Sequence, residues 1–176
     1  MAISKNSKIL MDEHQNILTV VEALETACEK IAGTGPVDED FLKKAIEFIR
    51  NYADKLHHSK EEEILFVEMK KNNTGDKKSC NPVEQMLYEH DLGRKYIAGI
   101  KKGMMKRSRK IIVENARGYI YLIREHISKE DNILFPMSDE TLDEKTKKEI
   151  LTKFNKIDKE KINEIKKYVS FARKYK

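Results

Sequence analysis

His57 and Glu61 stand four residues apart, and so do His126 and Glu130. Each pair belongs to a copy of one string, H-x-S-K-E-x-x-I-L-F, which reads HHSKEEEILF at 57–66 and HISKEDNILF at 126–135. On a helix, positions i and i+4 share a face one turn apart. Each string therefore aims an imidazole and a carboxylate at the same point, and both groups are metal ligands. A single inward histidine is ordinarily a hydrogen-bonded core residue. Here two more, His14 and His90, open the similar stretches EHQNIL (13–18) and EHDLGR (89–94). The chain carries one pattern twice: His, then His-x-x-x-Glu.

Apolar spacing supplies the helices that must position these groups. Leu10, His14, Ile17, Val21, Leu24, Cys28 and Ile31 advance in alternating steps of four and three, the inward stripe of a bundle helix. GTGP at 33–36 breaks it, and Asp38 is suited to cap a second helix running to about Lys71. That helix turns Ile46, Ile49, Ala53, His57, Glu61 and Ile64 inward. The polar stretch NNTGDKKSCNP reads as the longest loop, after which Asn81 and Pro82 open a third helix as cap and first-turn proline. Its stripe is Val83, Met86, His90, Gly93, Ile97, Ile100 and Met104. A fourth helix, from about Ser108 to Phe135, carries Ile112, Ala116, Tyr119, Ile123, His126, Glu130 and Leu134, and Pro136 is expected to end it. Residues 141–172 add one or two further helices, split near Asp158. Short connections between long helices predict an all-α fold: an antiparallel four-helix bundle over residues 1–140. A basic, amphipathic helical extension over 141–176 is expected to pack on the same domain.

Composition agrees. A chain of 176 residues with 39% apolar and 37% charged residues, seven Gly and three Pro suits one domain of long amphipathic helices. No stretch has the length of a membrane span, and MAISKNSKIL lacks the apolar core of a signal peptide. The expectation is a cytoplasmic protein with no membrane partner, its Cys28 and Cys80 reduced and unpaired. The net charge of +5 is concentrated in residues 141–176, which hold twelve Lys/Arg against six Asp/Glu. These lysines alternate with acids and with Ile150, Phe154, Ile157, Ile162, Ile165 and Val169. That is the solvated face of a packed helix, and it argues against a nucleic-acid surface.

In an antiparallel bundle His14, His57, Glu61, His90, His126 and Glu130 come level in one layer. Two buried carboxylates without a cation are very costly, and the stripes hold no Lys or Arg at these levels. A bound metal supplies the charge. One structural zinc would be tetrahedral and has no use for two bridging carboxylates. Imidazole and carboxylate inside a bundle suit a paired non-haem iron or manganese centre. Each ion would take two terminal histidines, with both glutamates and one solvent-derived group bridging, which leaves a position open to small molecules. Glu13, Glu89 and Glu125, each just before a candidate histidine, read as exposed helix formers, the alternative being carboxylates that accept a histidine N–H on a different helix. Glu62 and Glu63 read as solvated, and Tyr119 as core.

The constellation of His14, His57 with Glu61, His90, and His126 with Glu130 resembles the hemerythrin-like, or HHE cation-binding, domain over roughly residues 7–137. The resemblance implies a bundle around a non-haem di-iron centre that handles oxygen, nitric oxide or peroxide. Similar domains occur in iron-responsive regulators and iron–sulfur repair proteins. Oxygen-carrying members place a further histidine one turn after the first ligand of the third helix, where this chain has Arg94. Reversible carriage is therefore not expected unless His58, which flanks the stripe about 100° from His57, compensates as an additional ligand. Otherwise His58 edges the pocket and supports a ligand, or faces solvent. Two readings stand: a domain that binds or senses a small diatomic molecule, or a di-iron oxidoreductase that turns over peroxide or nitric oxide with a separate electron donor. The alternative class is iron storage, delivery or iron–sulfur repair.

Overall fold

The computed structural model describes residues 3–72 and 81–176, and among them every regular element is a helix. The loop expected after residue 72, with Cys80, falls largely outside the described residues. Helix α1 (Lys5–Ala32) begins at Ser4, whose side chain accepts the Ser7 N–H. It ends in a tight turn where the Gly35 N–H bonds the Lys30 carbonyl at 2.8 Å. A Cβ at position 35 would come within 2.7 Å of that oxygen, so the turn requires glycine.

Helix α2 (Glu39–Phe48) is capped by Asp38, as its sequence predicts. It continues through wide π-type turns at Ile49–His58 and Glu61–Leu65 into α3 (Phe66–Asn72). Helix α4 (Pro82–Met105) starts on Asn81, whose side chain accepts the Val83 N–H. Helix α5 (Arg109–Lys129) starts on Ser108 and passes through a π-type turn at Glu130–Leu134 into α6 (Phe135–Thr141). These rods form two antiparallel hairpins. In the second, the backbones approach so closely that a Cβ at Gly103 would lie 2.8 Å from the Ile112 nitrogen.

Pro136 does not end the fourth rod, contrary to expectation. The Phe135 N–H bonds the Glu130 carbonyl five residues back. That wider turn moves the preceding carbonyls off the proline ring, which relieves the clash that normally stops a helix there. The π-type turns were themselves absent from a reading based on 3.6-residue periodicity. Their trace is the run Ile49, Ala53, His57, Glu61. Repeated steps of four drift off the face of a regular helix, and a wider turn keeps them together.

Helices α7 (Glu144–Glu160) and α8 (Ile162–Ala172) break at Lys161, three residues past the expected point. Ile150 and Phe154 are fully buried in a cluster with Leu10, Leu134 and Phe135. Tyr168 and Ala172 join the main core, Tyr168 edge-on to Phe48 at 6.0 Å. Among the described residues no helix is long and apolar enough to cross a membrane. Cys28 is buried and unpaired.

Candidate metal centre

The two hairpins bring all six candidate ligands into one buried layer. The Nε2 atoms of His14 and His57 lie 2.9 Å apart, and those of His90 and His126 lie 3.0 Å apart. Two carboxylates span these pairs. Glu130 Oε2 is 3.3 Å from both His14 Nε2 and His126 Nε2. Glu61 places Oε1 3.5 Å from His57 Nε2 and Oε2 3.6 Å from His90 Nε2. None of the four carboxylate oxygens has a hydrogen-bond partner among the described residues.

Each histidine is turned inward by a carboxylate on its other nitrogen. Glu13 takes the Nδ1 of His57 at 2.9 Å, and Glu89 that of His126 at 3.0 Å. Asp131 takes His14 at 2.8 Å, and Glu62 takes His90 at 2.7 Å. A carboxylate accepting at Nδ1 fixes the proton there and leaves the Nε2 lone pair facing the layer. Three of the four carboxylates are backed by cations: Glu13 by Lys60, Glu89 by Lys129, and Glu62 by Arg94. Lys60 is wholly buried, 2.5 Å from Glu13 Oε1, and also 2.5 Å from Asp158 Oδ1 of α7, although the latter contact is poorly angled for a hydrogen bond. Phe66 and Phe135 stack on His90 and His14 of the opposite hairpin. The repeated string is thereby explained almost letter by letter: His faces the layer, Lys braces the orienting Glu, Glu spans the pairs, and Phe covers the far imidazole.

Several sequence expectations are corrected. Glu13 and Glu89 are buried, not exposed, because each serves the histidine of the neighbouring helix rather than the one beside it. Glu62 is held by His90 and Arg94 rather than by water. Asp131 went unnoticed, although it occupies in the second string the place of Glu62 in the first. Lys60 supplies a buried cation, but to Glu13 and not to Glu61 or Glu130, whose charge is still unanswered. Glu63 and Glu125 are exposed and Tyr119 is buried, as expected.

The internal two-fold relation fails on one flank. Asp54, His58 and Arg94 correspond by position in the repeats to Ile123, Ile127 and Leu18. Arg94 bonds Asp54, Asp91 and Glu62, so it braces the flank and does not enter the layer. His58 is buried and stacks on His90 with centroids 3.7 Å apart. Neither of its ring nitrogens has a hydrogen-bond partner among the described residues, Asp54 Oδ1 lying 3.5 Å from Nδ1. His58, His90 and His126 can each present a nitrogen within 4.8 Å of the others, as can the ligating atoms of His14, His57, Glu61 and Glu130.

These residues fit a cation. Two lone pairs meeting at about 3 Å repel unless a proton or an ion lies between them. Two nitrogens about 2.1 Å from one ion at a right angle are separated by about that distance. Protons partly fill the role without metal. Burial opposes charge on His14, but Asp131 and Glu130 outweigh it and raise its pKa to about 9. Burial lowers His57, His58 and His90. Burial opposes the Glu130 carboxylate too, but His126 and His14 more than offset it. Glu61 is pushed well up by burial and then by the charge of Glu130.

At pH 7 the metal-free layer thus holds on His14 a proton that metal must displace. Loading a weakly buffered sample is expected to release about one proton per chain from His14, read with a pH indicator. Release of none would contradict this charge assignment. A His14 pKa raised from 6.5 to about 9 stabilises metal-free protein fully below pH 6.5, and that contribution is lost as pH rises through 9. The lowered His57, His58 and His90 act oppositely, removing stability as pH falls through 6.5. Chelated protein should therefore melt highest near pH 6.5 and lower at pH 9.

A family model described as the hemerythrin HHE cation binding domain matches residues 6–138. No curated protein and no solved structure matches the chain.

Proposed function

Because this chain belongs to the hemerythrin HHE cation-binding domain family, we propose that it holds a pair of iron ions at which oxygen, nitric oxide or peroxide binds or reacts. The observation that carries this reading is the pair of facing Nε2 couples joined by two carboxylates without hydrogen-bond partners among the described residues. On it, His14 and His57 would hold one ion, His90 and His126 the other, and Glu61 and Glu130 would serve both, with a solvent-derived group completing the centre. His58 stands ready as an additional ligand on the second half. Residues 1–140 are the metal-holding unit, and 141–176 brace it through α7 and α8.

Iron held there supplies electrons and an exchangeable position for a small oxidant. The chain's own residues bury the layer, and the orienting carboxylates hold each imidazole by its Nδ1 so that Nε2 faces inward. The test is stopped-flow absorbance of the reduced, iron-loaded protein against oxygen, nitric oxide and peroxide. Peroxide is expected to be consumed, and oxygen to oxidise the protein without uptake that reverses under vacuum. Reversible uptake would make the protein a carrier, and its loss in His58→Ala would identify the fifth histidine. Storage or delivery would show as iron uptake well beyond two ions per chain.

A further inference from the structure

Between α2, α4 and α5, a cavity of about 400 Å³ runs from the surface to the His90–His126 side of the layer. A diatomic molecule needs a small fraction of that space, since one water takes about 30 Å³. The volume lies within the range of roughly 300–1,000 Å³ typical of organic-ligand sites. Ile46, Ile49, Ile97, Leu122 and Ile123 give it apolar walls. At the buried end Tyr119 lines the cavity, and its hydroxyl has no hydrogen-bond partner among the described residues. Such a group is unfavourable unless something accepts from it. At the rim Arg50 and Lys101 are exposed, and neither has a carboxylate partner among the described residues. Arg94, also at the rim, is already matched by acids.

We propose that this cavity binds a small organic anion, with its apolar body along the isoleucine walls, its carboxylate at Arg50 and Lys101, and at its far end, beside the metal layer, an oxygen that accepts from Tyr119. This deepens the proposed function by giving that site a substrate class larger than a diatomic. Its reactive end rests on that reading, whereas binding does not. Hydrocarbon walls reward an apolar chain, and a rim with two unmatched cations selects the sign of the head group.

The test is calorimetric titration of the full chain with octanoate, octanol and octylamine, with iron content measured on the same sample. One saturable site is expected for octanoate, weaker binding for octanol and none for octylamine. Arg50→Gln with Lys101→Gln should weaken octanoate about fivefold, the scale of two rim charges, and leave octanol unchanged. Ala98→Trp, an exposed rim position, should block both. Absence of octanoate binding, indifference to head-group charge, or binding unmoved by Ala98→Trp would overturn the inference. Octanoate binding to a chain that takes up no iron would overturn the metal-pair reading alone.

Discussion

Glu61→Ala protein, produced with supplemented iron, is expected to keep no more than one ion per chain where the parent is proposed to hold two. Glu61 sends one oxygen toward each histidine couple, and both oxygens are fully buried without a hydrogen-bond partner among the described residues. Removing it would take a proposed anionic ligand from both halves at once. The same change should not harm the metal-free fold. A buried carboxyl pushed up by its surroundings is a liability without metal, so chelated Glu61→Ala should melt at or above chelated parent. That pairing separates ligand loss from misfolding. Metal analysis showing two ions in the variant would remove Glu61 from the site.

The second large effect concerns stability. Lys60→Met strands Glu13 in the interior, and breaking one side of a buried ion pair costs about 3–5 kcal/mol. For a domain of this size that lowers the melting temperature by roughly 10 °C. Burial already pushes the Glu13 carboxyl up in spite of Lys60, so the stranded group would take a proton and loosen its hold on His57. Lys129→Met, at the equivalent place in the second repeat, should matter less, because its side chain is 37% exposed and water replaces the ammonium. Adding Glu13→Gln to Lys60→Met should recover part of the loss. Equal melting of Lys60→Met and the parent would show that the pair contributes nothing.

Much of this was legible in the residues. Helix starts at Asp38 and Asn81 follow from capping chemistry, and the inward positions of the four histidines and two glutamates follow from period and repetition. What escaped has a common physical cause. The orienting carboxylates Glu13, Glu62, Glu89 and Asp131 act across helices, and one helix's periodicity says nothing about which neighbour a flanking residue meets. Glu13 beside His14 looks idle until the adjacent helix is in place. A clue was available in the repeats: EH opens both hairpins, and Lys and a second acid recur at fixed places around His-x-x-x-Glu. Read as a set, these recurring charges mark an orienting frame rather than a solvated face. The wide turns were hidden for a different reason, since an assumed period of 3.6 cannot reveal a departure from itself.

The broken two-fold relation has a consequence for valence. Asp54, His58 and Arg94 stand on the His90–His126 half, where His58 stacks on His90, whereas the corresponding positions of the other repeat are the apolar Leu18, Ile123 and Ile127. Hydrocarbon disfavours concentrated charge, whereas a carboxylate and an imidazole favour it. Were the proposed iron pair half-oxidised, it would then not share its odd electron. The ferric state would belong to the His90–His126 half and the ferrous state to the His14–His57 half. Iron-57 Mössbauer spectra of the half-oxidised chain should show separate ferric and ferrous signals that stay separate on warming. A single averaged signal would mean the two flanks are electrically alike.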